Sequence, residues 1–362
     1  MSHSASSDSA SSSTPSFSVA SSVRSIAAAF GLCALSWAGV ATAQPPGPAA
    51  APPIGADASS APADAQPVAI TAQPPSPKPP YSIPFQLRPA VAVTVLRVDT
   101  SFAFYEDPGA NGAEGTTVAS TLLGSYKLTD HFSPIARVGM VSNSPSQADG
   151  AAGFLNPVLG ATYVVPLSPE FRLAAFFGLT LPIGSGGGHT PDLKKAAGNA
   201  AGIRARSAMD NAMFAVNDLT LFPGVSVAYV AHGLTVQLEA TLLQLFRVRG
   251  EDARNTAGAP MNPDSTRTNF TSGLHVGYFF MPELSVGTEL RHQRWLSTPR
   301  AVENDATDTL RDTTTVAVGP RLHFKVGEKS WIRPALAFAV GIDDPLKRWE
   351  SRSVQLDIPV IF

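Results

Sequence analysis

The last ten residues, SVQLDIPVIF (Ser353–Phe362), decide the fold. Val354, Leu356, Ile358, Val360 and Phe362 alternate with Gln355, Asp357 and Pro359, the period of a strand with one apolar face. Such a strand is a liability at a sheet edge, where a bare row of N–H and C=O groups templates aggregation. The rest of the chain must therefore supply it with a partner on each side.

The same period recurs from about Ile83 onward. Twelve segments carry it: Ala90–Tyr105, Thr117–Leu128, Ser133–Ser142, Pro157–Val165, Phe171–Pro182, Leu219–Tyr229, Leu234–Val248, Arg267–Phe280, Leu284–Trp295, Thr313–Val326, Trp331–Ile342 and Arg352–Phe362. In the fifth, Phe171, Leu173, Ala175, Phe177, Leu179 and Leu181 alternate with Arg172, Ala174, Phe176, Gly178 and Thr180. Gly, Thr and Val recur and no 3.6-residue stripe competes. Most segments reach the roughly 9–11 residues that a tilted strand needs to cross a bilayer.

The connections alternate in length. Thr129–Phe132, Pro166–Glu170, Val230–Gly233, Met281–Glu283 and Gly327–Ser330 are short. Glu106–Thr116, Asn143–Asn156, Ile183–Asp218, Arg249–Thr266, Leu296–Asp312 and Asp343–Ser351 are long and polar. Outer-membrane barrels show this asymmetry, with short periplasmic turns and longer external loops around an even number of antiparallel strands. The fold expected over residues 81–362 is all-β, a transmembrane antiparallel up-and-down barrel of about 12 strands. Its last strand pairs with its first, so no edge is left. A soluble sandwich would bury the same faces but predicts shorter strands and no alternation of loop lengths.

The terminal strand, with Phe362 at its end, resembles the C-terminal signal that bacterial outer-membrane barrels present to their assembly machinery. That resemblance implies a porin-like barrel of a Gram-negative outer membrane, with outer-membrane lipids and the barrel-assembly machinery as partners. Aromatic residues near strand ends suit two interfacial girdles: Phe132, Phe171, Phe280, Trp331 and Phe362 on the turn side, Tyr105, Trp295 and Trp349 on the loop side.

The N-terminal region reads differently. Arg24 precedes the apolar run Ile26–Ala43, which closes on Ala41-Thr42-Ala43, so residues 1–43 are expected to be a secretory signal peptide. Cys33 lies inside it, which leaves the exported chain without disulfide or thiol chemistry. Residues 44–80 are Pro/Ala-rich and read as a disordered, solvated linker with polyproline II character. A net charge of -2 with 15% charged residues argues against a nucleic-acid partner. A mean hydropathy of +0.07 argues against a helical membrane protein.

With the apolar parity outward, the lumen collects Arg97, Asp99, Arg137, Arg172, Glu239, Glu289, Arg291, Arg321, Lys325, Arg333 and Asp357, together with His275 and His323. Charge at membrane depth is costly against lipid, so these side chains face water or one another. Arg97 with Asp357 across the seam and Glu289 with Arg291 are natural pairs. The cationic excess gathers toward the short turns, which predicts a pore-lining basic ring with a mild preference for anionic small-molecule solutes. A filled, non-conducting structural barrel is the alternative.

Ile183–Asp218 is the longest loop. Its start, Gly184-Ser185-Gly186-Gly187-Gly188, has no Gly-Lys-Ser/Thr and is not a phosphate loop. A short helix is expected within Pro191–Phe214, either in an external loop or folded into the mouth as a gate. The preceding stretch FFGLTLPIGSG (Phe176–Gly186) resembles the strand-end signature of the outer-membrane family linked to phenol-degradation pathways, which implies uptake of hydrophobic or aromatic compounds.

Chemistry is not expected. Ser272 falls opposite His292 on the outer face, the one nucleophile–base pair that an outer-membrane lipolytic enzyme would need. However, the His-x-Ser order of those enzymes is absent and Asn269 has the inward parity. The histidines are scattered, Asp305, Asp308 and Asp312 read as a solvated acidic loop, and no cofactor or metal is expected.

Overall fold

The computed structural model describes residues 80–107, 111–145, 147–250, 264–297, 299–304 and 311–362. The expected signal peptide and linker up to residue 79, with Cys33, Asp305 and Asp308, lie outside these residues.

Twelve strands follow one another in the wall: β1 Val95–Asp107, β2 Ala113–Ser125, β3 Phe132–Ser144, β4 Val158–Pro166, β5 Phe171–Thr180, β6 Asp218–Ala231, β7 Leu234–Arg247, β8 Thr266–Met281, β9 Leu284–Trp295, β10 Thr313–Leu322, β11 Ala335–Gly341 and β12 Arg352–Ile361. Ala151–Phe154 pairs with β3 ahead of β4, while Phe324–Val326 and Ser330–Ile332 continue β10 and β11 to their turn. Each strand pairs antiparallel with the next. The closing strand β12 pairs with β11 on one side and with β1 on the other, in register from Val95↔Ile361 to Phe104↔Arg352. The alternating terminus thus has two partners, and the barrel is closed.

Because successive side chains point to opposite faces, one period-2 pattern builds both surfaces. Leu238, Leu336, Phe338, Val318, Phe177 and Leu356 lie exposed outside, whereas Glu239, Gln237, Gln355 and Asp357 are buried inside. No helix among the described residues is long and apolar enough to cross a membrane; the crossing is made by strands. On the turn side, Tyr126, Tyr163, Phe171, Tyr278 and Phe280 form an exposed aromatic belt.

The loop-side girdle differs from expectation. Tyr105 and Trp349 are buried and turned inward, with the Arg204 guanidinium 5.0 Å from one ring and 4.1 Å from the other. Trp295 is partly buried against the inner cluster. A cation held over two rings gives these side chains a better site inside than at the interface.

Two further segments fill the barrel. The wall begins at Val95 rather than near Ala90, and Tyr81–Ala92 folds into the lumen from the turn end. From the loop end, the connection between β5 and β6 also turns inward. It carries helix α1, Leu193–Ala205, whose N-terminus is capped by Asp192 accepting from Lys195 N at 3.1 Å. A one-turn helix α2, Asn211–Phe214, follows, and Arg206, Met213 and Phe214 are buried. The helix lies within the expected Pro191–Phe214, but in a loop folded inward rather than left outside.

Candidate functional site

The two inward segments meet buried charge on the barrel wall. Arg97, on β1, reaches Asp357 on β12, Nε to Oδ1 at 2.6 Å. Arg321, on β10, approaches the other oxygen of the same carboxylate at 2.5 Å. Both arginines also donate to the inserted N-terminal segment: Arg97 Nη2 to the Pro84 carbonyl at 2.9 Å, Arg321 Nη2 to the same oxygen at 3.4 Å. On β9, Arg291 pairs with Glu289 at 2.7 Å.

Glu289 is also the dock for the N-terminal segment. Its carboxylate accepts from Phe85 N and from Gln86 N, the latter at 3.1 Å. Glu239, on β7, repeats the device one pair of strands away, accepting from Arg88 N at 2.6 Å and from Arg88 Nη1 at 2.5 Å. The Arg88 guanidinium lies 3.9 Å from the centre of the Phe176 ring. Tyr81 OH donates to Gln237 at 2.5 Å, and Gln237 Nε2 donates to the Arg88 carbonyl at 2.7 Å. An extended segment has no ladder of its own, so the lumen wall supplies partners for its backbone groups.

The wall makes room for it. On β8 a Cβ at Gly277 would overlap Ser82, and one at Gly273 would overlap the Leu87 side chain. Phe85 packs on Ala335 and Ala337, and Tyr81 with Ile83 on Ala174, Ala228 and Val230.

The inward loop is held by a second charge cluster. Arg206 bridges Asp99 on β1, Nη1 to Oδ1 at 2.6 Å, and Asp210 at 2.9 Å. Arg137, on β3, reaches Asp210 at 2.9 Å and Asp99 at 3.8 Å. Burial pushes the Asp210 carboxyl up, but Arg137 and Arg206 outweigh that and hold it well below the usual carboxylate range. Arg291 Nη1 donates to Ser207 Oγ at 3.1 Å, tying this loop to the Glu289 cluster.

Most of the expected lumen residues are brought together. Arg97, Asp99, Arg137, Glu239, Glu289, Arg291, Arg321 and Asp357 share the two networks. Arg172 lies at the turn end, its guanidinium 5.7 Å from the Tyr81 ring, and Arg333 donates to the Tyr81 carbonyl at 3.5 Å. Lys325 is exposed beside its turn, apart from the networks. His275 Nδ1 sits 3.6 Å from Glu289, and His323 Nε2 is 2.8 Å from Ser285 Oγ. Phe362 is exposed, with its N–H donating to the Thr94 carbonyl at 3.1 Å. Ser272 and His292 do stand opposite in register, yet His292 Nδ1 is 3.0 Å from Thr314 Oγ1 on β10, and Asn269 donates inward to Gln293. Arg88, Arg206 and Asp210 carry much of the arrangement: Arg206 and Asp210 have no strand parity from which to be read, and Arg88 lies in a stretch that reads in sequence as part of the first strand.

No family model matches the chain, and no curated protein matches it in sequence. Among solved structures, the chain is similar to the KdgM porin, at 13% identity over 74% of this chain and 99% of that one, with a TM-score of 0.39. It is also similar to the NanC porin (10% identity, 74% and 98% coverage, TM-score 0.43) and to the CymD monoaromatic hydrocarbon channel (9%, 76% and 91%, TM-score 0.34). Likeness at this level carries no argument about what passes through the barrel. The class rests on the molecule's own build: a closed antiparallel barrel of twelve strands, apolar outside and polar within, is a porin-like outer-membrane β-barrel.

Proposed function

We propose that the protein is a gated outer-membrane channel for small solutes, shut in this state by Tyr81–Ala92 and the inward loop. The observation that carries this reading is the wall's accommodation of a segment of chain that is not itself a strand of the wall. Barrels of about eight strands fill their lumen with their own wall side chains, whereas wider ones hold water or a plug of chain. This one places Gly273, Gly277, Ala335 and Ala337 where the inserted segment, which joins the wall at Val95, occupies the space. Its polar contacts are hydrogen bonds and ion pairs that water can replace.

The mild anion preference expected from the sequence then belongs to the opened barrel. In the closed state Arg97, Arg137, Arg291 and Arg321 are matched by carboxylates. Withdrawal of the N-terminal segment removes contacts to Arg97, Arg321 and Arg333 and exposes them beside Arg172.

Efflux of a small sugar from proteoliposomes tests the reading. The full chain should hold the gradient, and Gly277→Val, which crowds Ser82 out of its seat, should release it. Equal retention by both, with the variant folded by heat-modifiable gel mobility, would favour a filled, non-conducting barrel.

A further inference from the structure

The N-terminal segment is seated in the lumen largely by its backbone. Four of its N–H groups are received by wall side chains: Ser82 N by Thr235 Oγ1 at 2.9 Å, Phe85 N and Gln86 N by Glu289, and Arg88 N by Glu239 at 2.6 Å. Four of its carbonyls receive donors in turn: Tyr81 from Arg333 at 3.5 Å, Pro84 from Arg97 at 2.9 Å, Phe85 also from Arg97, and Arg88 from Gln237 at 2.7 Å. These are groups that any extended peptide carries, and that a sugar or a hydrocarbon does not carry in that alternation. Peptides recognised in extended form gain affinity from main-chain hydrogen bonds and selectivity from pockets for their side chains.

The side-chain seats ask for little more. Phe85 rests on Ala335 and Ala337, and Leu87 fills the space that the missing side chain of Gly273 leaves. The one specific demand is for charge. Glu289 has a cation of the wall beside it, Arg291 at 2.7 Å, whereas Glu239 takes its cation from the segment, Arg88 Nη1 at 2.5 Å. The Phe176 ring, 3.9 Å from the same guanidinium, completes that seat. Once the segment withdraws, the wall offers a carboxylate and an aromatic face to another cationic side chain.

We propose that this lane of the lumen is a binding site for short extended peptides with one basic side chain, and that Tyr81–Ala92 occupies it as a built-in stand-in for them. Arg97, Gln237 and Glu289 hold the backbone, and Glu239 with Phe176 takes the basic group. The demand for a cation is local to Glu239, within a lumen whose wall is otherwise in cationic excess. The inference rests on the channel reading above and names the class of its solute.

Fluorescence anisotropy of a fluorescein-labelled peptide with the sequence of Tyr81–Ala90 tests this on the detergent-purified full chain. The lane is vacated by replacing residues 81–90 with a Gly-Ser run of equal length, or by Phe85→Ala with Arg88→Ala should the replacement not fold. The vacated chain should bind the peptide saturably at one site, and the parent at least tenfold more weakly because its own segment competes. An alanine peptide that keeps only the Phe and the Arg at their spacing should displace the label, whereas maltohexaose should not. Methylation of the peptide nitrogens at the positions of Phe85 and Arg88 should weaken binding at least tenfold. Exchange of the peptide's Arg for Gln should do the same, and Glu239→Gln in the wall should abolish that preference. Absence of saturable binding to the vacated chain overturns the proposal, as does equal affinity of the methylated peptide. Displacement by the parent sequence but not by the alanine peptide also overturns it, since the lane would then be a seat for its own segment alone. Binding is read without any flux, so failure of this titration and failure of the sugar-efflux test are separate results.

Discussion

Arg97 meets Asp357 across the seam between the first and last strands, Nε to Oδ1 at 2.6 Å, and Arg321 shares the same carboxylate at 2.5 Å. One acid thus neutralises two buried cations where the barrel closes. Asp357→Ala leaves both uncompensated, and breaking a buried pair in this way costs about 3–5 kcal/mol. Asp357→Asn keeps an acceptor and should cost less. Urea unfolding in micelles, followed by tryptophan fluorescence, should rank the parent above Asn and Asn above Ala. An Ala variant as stable as the parent would contradict the seam's role.

Arg88 holds the tip of the N-terminal segment through Glu239 and Phe176. Removing its side chain leaves Glu239 with the Arg88 backbone N–H and should loosen the tip without disturbing the wall. Leu87, 1% exposed, is a reporter position beside it. In a Cys33→Ser background, Leu87→Cys should react slowly with a maleimide, and at least tenfold faster once Arg88→Ala is added. Equal rates would show that Arg88 does not hold the segment.

The loop's dependence on pH follows from Asp210. Its folded carboxyl titrates below the unfolded value of about 3.9. Its stabilising contribution is therefore complete above the unfolded value and is lost only as pH falls through the lower folded one. The loop should stay docked from pH 7 to pH 5, with basal sugar efflux constant over that range. Opening that sets in between pH 6 and pH 5 would contradict this assignment.

Displacing the N-terminal segment should also reveal the barrel's charge. Arg97, Arg137, Arg172, Arg291, Arg321 and Arg333 then face Asp99, Glu239, Glu289 and Asp357 on the wall. The Gly277→Val channel should show a modest anion preference in its reversal potential, reduced by Arg172→Gln or Arg333→Gln. A cation-selective open state would contradict the basic turn-side lumen.

The wall was readable because strand parity is local. A period of two, with loops alternating in length, places Arg97 and Asp357 on the same side of a closing seam and Glu289 beside Arg291. Tyr105 shares the parity of Arg97 and Asp99, so its inward aim was available and was masked by its position at a strand end. The plugging segments were not readable in this way. Ile83, Phe85 and Leu87 alternate as a strand does, so they merge with the first one in sequence. Their burial depends on contacts such as Arg88 to Glu239, 151 residues apart, and on glycines of β8 that look like ordinary strand glycines. Arg206 and Asp210 lie in a connection, where neither parity nor helical face assigns a side chain to the lumen.

The central claim is that Tyr81–Ala92 closes this barrel, and single-channel recording in planar bilayers tests it most directly. The full chain should be silent or show rare, brief openings, whereas a chain lacking residues 80–92 should give frequent discrete steps of one size. Identical steps from both proteins would show that the segment does not close the pore, and silence from both, with the shortened chain folded, would show that the barrel is shut without it.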